Sequence, residues 1–174
     1  MLFAELDLLL EPGEAVVVEG PNGCGKSSLL RLAAGLLAPT LGEATNSGGV
    51  ALADDGLALD RELSLERALA VWARIDGTAE RLEPAITALG LAHLAEVPVR
   101  FLSTGQARRA RLARVAASGA RLWLLDEPLN GLDREGAEQL GALVVAHRAD
   151  GGAVLAASHV PLPGGVWRTL ALQP

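Results

Sequence analysis

No tyrosine occurs in this 174-residue sequence, and cysteine, methionine and lysine occur once each, as Cys24, Met1 and Lys26. A single cysteine excludes an internal disulfide and any metal site built from several thiolates. Basic residues are outnumbered, 15 against 21 acidic ones. The resulting charge of -6, with a pI near 5.1, leaves no broad basic face for nucleic acid or acidic lipid. Apolar runs are short: Arg, Glu, Asp or Pro breaks each one well before the ~20 residues that a membrane-spanning helix needs. The opening MLFAELDLLLEPGE carries acids and no basic region, so no secretory signal is expected. What is present is 50% hydrophobic and 21% charged, a globular composition. At 18.0 kDa, one cytosolic domain over residues 1–174 is expected. A chain this long buries about 70% of its unfolded surface, which is core enough without covalent staples.

The solitary lysine is informative, because the other fourteen basic residues are all arginine. Lysine is a compact point charge on a flexible stem, whereas arginine is a wide planar fork. Lys26 falls inside Gly20-Pro21-Asn22-Gly23-Cys24-Gly25-Lys26-Ser27, which fits the G-x-x-x-x-G-K-[ST] pattern of a phosphate-binding loop. Ala15–Val18 upstream is a short β-branched run that reads as a buried strand. Ser27–Leu37 downstream has leucines at 29, 30, 32 and 36, a helical spacing. Glycines between a strand and a helix let successive N–H groups turn inward at the positive end of the helix, which makes an anion nest. In that setting Gly20 through Ser28 cradle the phosphates of a nucleotide such as ATP. Lys26 reaches the β- and γ-phosphates, and the Ser27 hydroxyl is a ligand for Mg²⁺. The Cys24 thiol, near both the helix N-terminus and Lys26, is expected to be reactive and to be protected by bound nucleotide.

Other elements follow in alternation. A weak strand is expected at Val50–Ala53, helix over Leu63–Leu94 with breaks at Gly77 and Pro84, and helix again over Gln106–Ala117. Leu122–Leu125 reads as a buried strand, Arg134–Arg148 as a helix, and Ala153–Ala157 and Val166–Leu172 as strands. Strands alternating with helices imply an α/β fold, a P-loop NTPase core with a mostly parallel sheet. The helix-rich stretch at about 54–116 reads as a small helical subdomain. Trp72, spaced helically with Leu65 and Leu69, is expected in its core, and His93 and His147 are expected at surface or boundary positions.

Two further motifs carry chemistry. Leu124-Leu125-Asp126-Glu127 is an apolar strand ending in two carboxylates: Asp126 suits a metal ion beside Ser27, and Glu127 suits a base or positioner for an attacking water. Leu102-Ser103-Thr104-Gly105-Gln106 precedes a helix bearing Arg108, Arg109, Arg111 and Arg114. Taken alone, Ser103 is an ordinary N-cap, Gly105 a turn residue and the arginines a solvated face.

Taken with the P-loop upstream and the acidic strand downstream, the pentapeptide resembles the LSGGQ signature of ABC-type ATPases, with Thr104 replacing the first glycine. The P-loop, LSTGQ, LLDEP, Leu132-Asp133 and Ser158-His159 occur in that family's order over nearly the whole chain. The resemblance implies a head-to-tail homodimer sandwiching ATP, with Ser103, Thr104, Gly105 and Gln106 facing the partner's nucleotide. It also implies Asp133 in the D-loop and His159 as a catalytic switch histidine. Val97-Pro98-Val99-Arg100-Phe101 running into LSTGQ, and Leu122-Trp123-Leu124-Leu125-Asp126-Glu127-Pro128 with Asn130-Gly131-Leu132-Asp133, resemble the ATP-binding subunits of haem export in cytochrome c biogenesis. That subfamily implies a CcmB-like integral membrane permease partner, docked around Ala53 to Arg100, and a peripheral position on the cytoplasmic face of the inner membrane.

The family pattern is not followed everywhere. Glutamine occurs only at Gln106, Gln139 and Gln173, so Asp54 or Asp55 stands where these domains carry a glutamine about forty residues after the P-loop. The P-loop lies close to Met1, so the family's first strand segment, with its adenine-stacking aromatic, is expected to be truncated. Three other readings stay open. A P-loop kinase of small substrates uses Lys26 but has no use for LSTGQ, a soluble ABC-type ATPase of cofactor assembly, such as iron–sulfur assembly, needs no permease, and the third is an ABC exporter of another small substrate.

Overall fold

The structure, a computed structural model, describes residues 3–4, 6–54, 56 and 58–172. Among the described residues five strands form one sheet: β1 (Ala15–Glu19), β2 (Val50–Ala53), β3 (Leu122–Asp126), β4 (Ala153–Ala157) and β5 (Arg168–Ala171). Their spatial order is β2-β3-β4-β1-β5, and every pairing is parallel. Parallel neighbours require crossovers, and α1 (Lys26–Ala33), α4 (Thr104–Ala117) and α5 (Arg134–Ala149) supply them. Helices on both faces explain why β1, β3 and β4 read as continuous apolar runs.

Side chains alternate across the sheet, as the pleat dictates. Trp123, Leu125, Val154 and Ala156 face one core, shared with α4 and α5. Leu124, Leu155, Val16, Val18 and Ala157 face the other, closed by Leu29 and Leu30 of α1. Leu30, Leu124 and Leu155 are fully enclosed, and burial of each is worth about 1.5–3 kcal/mol.

The helix-rich middle is α2 (Leu65–Asp76), α3 (Leu82–Ala88) and α4, linked by short 3-10 turns. Gly77 ends α2 in the left-handed conformation, φ 70°, a backbone shape that suits glycine. Pro84 does not break the helix as expected. It lies in the first turn of α3, where its missing N–H has no intrahelical acceptor to lose. Leu65, Leu69, Leu89, Leu91, Leu112 and Val115 form one continuous cluster with Trp123 and Leu125 of the sheet. Trp72 packs at the margin of this core, its indole N–H donating to the Ala58 carbonyl and the Arg114 guanidinium 4.0 Å above its ring. Helix α1 ends at Ala33, short of the expected Leu37, because Gly35 at φ 72° turns the chain away. β5 is also shorter than expected and mostly exposed at the sheet edge.

His93 is exposed. His147 is half-buried and stacks on Trp123 with centroids 3.9 Å apart, and burial holds its imidazole pKa below the ordinary 6.5.

Candidate functional site

Strands β3, β4 and β1 are adjacent and parallel, so their carboxyl ends lie side by side. Asp126 pairs with Ala157, and Ala157 pairs with Val18. One row across the sheet therefore leads into three of the sequence motifs: the glycine loop after β1, Ser158-His159 after β4, and Asp126-Glu127 at the end of β3. Ligands in open α/β sheets bind outside such strand ends.

In the glycine loop, Gly20, Gly23 and Gly25 all have positive φ, and Gly25 is the residue before α1. Gly20 is required sterically: a Cβ there would overlap the Leu172 carbonyl and come within 2.8 Å of Cys24 Sγ. Lys26 is buried, and its Nζ donates to the carbonyl oxygens of Gly20 at 2.7 Å and Pro21 at 3.3 Å. The ammonium is thus held against the loop whose backbone would cradle phosphate. Pro21, Asn22 and Gly23 are exposed, and Ser27 and Ser28 are half-buried in the first turn of α1. Cys24 departs from expectation. Its side chain is 3% exposed and packs among Val16, Val18, Leu29 and Leu30, so the thiol faces the apolar core and not the nest.

Asp126 is buried at the end of β3. Glu127, the next residue, is the only non-glycine among the described residues with positive φ, 46°. That conformation costs about 1–3 kcal/mol and persists only where surrounding structure enforces it. Both of its carboxylate oxygens are buried without a properly aligned hydrogen-bond partner among the described residues. His159 Nδ1 is 3.0 Å from Glu127 Oε1, a charge contact whenever the imidazole is protonated. Burial pushes the Glu127 carboxyl pKa above the ordinary 4.5, and Asp126 adds to this, while His159 and Lys26 pull it down. Lys26 is near enough for its charge to act on Glu127 although 101 positions separate them in sequence. A buried carboxylate with no well-aligned donor beyond the His159 contact is a place for a water to be held and deprotonated.

Magnesium fits the donor set around this point. Asp126 and Ser27 offer hard oxygen ligands, and no group of three or more His, Cys, Asp or Glu stands ready to form a protein cage among the described residues. Mg²⁺ takes one or two protein oxygens and fills its octahedron with water and phosphate.

The signature residues are placed differently. Ser103 and Thr104 are exposed at the start of α4. Ser103 Oγ accepts from the Gln106 N–H at 3.3 Å while Gln106 Oε1 accepts from the Ser103 N–H at 2.8 Å, a reciprocal capping box. A Cβ on Gly105 would lie 2.8 Å from the Gly131 carbonyl oxygen, so α4 meets the 126–133 loop at a contact only glycine permits. Asp133 caps α5, its carboxylate accepting from the Gly136 N–H at 2.9 Å. Asp54 accepts from the Gly56 N–H and lies 3.7 Å from Arg31, and Asp55 lies outside the described residues.

The arginines of α4 are not a solvated face. Arg108 is buried and donates to the carbonyls of Asp126 and Asn130. Arg111 donates to the Asp54 carbonyl and Arg114 to that of Leu52. A sequence signal existed for Arg108: with Leu112 and Val115 it makes an i, i+4, i+7 stripe, which places it on the buried side of the helix.

A parallel sheet with a glycine loop, a lysine and two carboxylates gathered at its strand ends defines a P-loop nucleotide-binding protein. Comparison with known proteins gives the family. The ABC transporter family model matches residues 3–130. Cytochrome c biogenesis ATP-binding export proteins CcmA are similar over most of their length. The protein of Sphingopyxis alaskensis is 53% identical over 163 residues, 93% of this chain and 84% of that one. The protein of Novosphingobium aromaticivorans is 54% identical over 173 residues, 99% of this chain and 88% of that one. Among solved structures, a dimeric ATP-binding cassette in a post-hydrolysis state with ADP and Pi superposes with a TM-score of 0.80, covering 91% of this chain and 80% of that one at 21% identity. An inward-facing metal-chelate type ABC transporter gives a TM-score of 0.76 at 26% identity, covering 98% of this chain and 72% of that one. The chain belongs to the ABC transporter ATP-binding family and, within it, to the CcmA family.

Proposed function

We propose that this chain hydrolyses ATP at the edge formed by β1, β4 and β3, and that the hydrolysis powers haem export in cytochrome c biogenesis. The observation that carries the reading is the row Val18, Ala157 and Asp126, which leads three motifs far apart in sequence to one strand-end crevice. The Gly20–Ser28 loop would bind the phosphates through its backbone N–H groups and Lys26. Asp126 and Ser27 would hold Mg²⁺, which when bound neutralises charge on the β- and γ-phosphates. Glu127 takes the role of base. Its carboxylate is buried, has only the His159 contact beside it, and is kept basic by burial. His159, 3.0 Å from that carboxylate, would hold its orientation and meet the γ-phosphate.

Ser103 and Thr104 are exposed at the N-terminus of α4 and Gly105 is half-buried, which supports a second copy bringing its nucleotide to them in a head-to-tail homodimer. No helix among the described residues is long and apolar enough to cross a membrane, so export requires an integral membrane partner, here a CcmB-like permease, with this chain peripheral on the cytoplasmic face of the inner membrane. That partner would dock around Ala53 to Arg100, where a cleft of about 300 Å³ is lined by Ala53, Ala58 and Leu59 together with Leu36, Leu52 and Arg111. The nucleic-acid class is disfavoured by the net charge of -6.

The test is Glu127→Gln. It keeps size and the phosphate ligands and removes the base, so Mg-ATP affinity should stay within a few-fold while steady-state turnover falls by about 10²–10⁴. Turnover within a few-fold of wild type would remove Glu127 from the reaction.

A further inference from the structure

The segment from Asp126 to Asn130 carries the reacting carboxylate in a conformation that the backbone resists, and something has to hold it there. Glu127 N–H donates to the Ala157 carbonyl at 2.9 Å, and Asn130 N–H donates to the Glu127 carbonyl at 3.1 Å. These bonds tie the segment to β4 and to itself. The remaining hold comes from α4: Arg108 Nη1 donates to the Asp126 carbonyl at 3.3 Å, and its Nε donates to the Asn130 carbonyl at 3.2 Å. One guanidinium therefore grips both ends of the segment, just before Glu127 and three residues after it. The group is 5% exposed, so these are bonds in a low-dielectric interior where an unmade one is costly.

Only arginine has the shape for this. Its planar fork presents donors in two directions at a fixed angle, while a lysine ammonium is a point charge on a flexible stem. The two carbonyls are the last of a strand and the fourth of the following loop, and bridging them fixes the chain between. The same helix approaches this loop closely a second time at Gly105, whose missing Cβ lets the Gly131 carbonyl come in. Arg108 follows Gly105 by one helical turn, so the two contacts lie on one face of α4.

We propose that Arg108 is a positioning residue for Glu127: it bridges the Asp126 and Asn130 carbonyls and so transmits the placement of α4, whose N-terminus bears residues 103–106, to the carboxylate that activates water. The inference rests on Glu127 being the base. Arg108 touches no substrate, and its effect on turnover passes through the loop geometry.

The experiment uses the purified protein with Arg108→Lys and, as a second probe, Arg108→Gln, each alone and with Glu127→Gln. Single variants should show kcat reduced about 10- to 100-fold, the scale of a misplaced reacting group. KM for Mg-ATP should stay within two-fold, and the melting temperature should fall by several degrees with the folded state retained. In the Glu127→Gln background, Arg108→Lys should change the residual single-turnover rate by less than two-fold, since the group it positions is already gone. Wild-type kcat in a folded Arg108→Lys protein overturns the proposal. A fall in kcat matched by a rise in KM also overturns it, as does loss of the folded state in both variants, because either marks a purely structural arginine. A ten-fold fall that persists in the Glu127→Gln background overturns it too, because the effect then runs through some other group. If Glu127→Gln alone keeps normal turnover, the assignment of the base fails first, and that outcome is read without any Arg108 variant.

Discussion

Substitution Gly105→Ala sets two physical effects against each other, and the structure says which should win. Gly105 lies in the first turn of α4, where alanine is the better helix former by about 0.8–1.0 kcal/mol. In an isolated helix the change would stabilise. In the folded protein the new Cβ would lie 2.8 Å from the Gly131 carbonyl oxygen, closer than such atoms are found, and that neighbour is backbone. Gly131 has little room to retreat, since it sits at φ 78° directly after Asn130, whose carbonyl accepts from buried Arg108. Forcing an added carbon into a packed contact costs about 1–3 kcal/mol, and here the immobile backbone puts the cost toward the upper end. After the helix gain is subtracted, a net destabilisation of roughly 1–2 kcal/mol is expected. For a chain of this size that corresponds to a melting temperature about 3–6 °C lower. Calorimetry or thermal circular dichroism on Gly105→Ala against wild type measures it. The steady-state ATPase rate should fall further than the stability loss explains, because the displaced loop carries Glu127. A melting temperature raised by the alanine, with wild-type turnover, would refute the close approach of α4 to the 126–133 loop.

Other consequences can be measured directly. His147 has its pKa held below 6.5 by burial, so the unfolded chain binds the proton more tightly than the folded one. Stability from this residue is complete above about pH 6.5 and is lost as pH falls below it. His147→Phe keeps the stack on Trp123, so the drop in melting temperature between pH 7.5 and 5 should shrink, and an unchanged drop would clear His147. The buried Cys24 thiol should react with an alkylating reagent at least about 100-fold more slowly in the folded protein than in denaturant, since access requires local opening. Rapid stoichiometric modification of the native protein, blocked by Mg-ATP, would instead place the thiol in the nest.

The linear sequence determined more of this protein than its fold class. A lysine unique in the chain, inside G-x-x-x-x-G-K-S and between a valine run and a leucine-spaced helix, locates the phosphate loop, because both the backbone turn and the point charge are local requirements. An apolar strand ending in Asp126-Glu127 is likewise a local pattern, as are the alternation of strands and helices and the left-handed stop at Gly77. Pro84 misled because its effect depends on its place within a helix, and that place follows from packing. Strand order was not legible: β4, late in the chain, lies between β1 and β3, and only this insertion brings His159 to Glu127. The direction of Cys24 into the core was not legible either, since a loop residue's facing depends on the turn as a whole. The arginines of α4 show the same limit. The spacing of Arg108 with Leu112 and Val115 held an overlooked signal of its burial, but which carbonyls it would meet depended on a loop eighteen to twenty-two residues away being folded against the helix. Local chemistry names the groups, whereas long-range pairing decides which of them share a site, because hydrogen bonds and charges act over a few ångströms irrespective of distance along the chain.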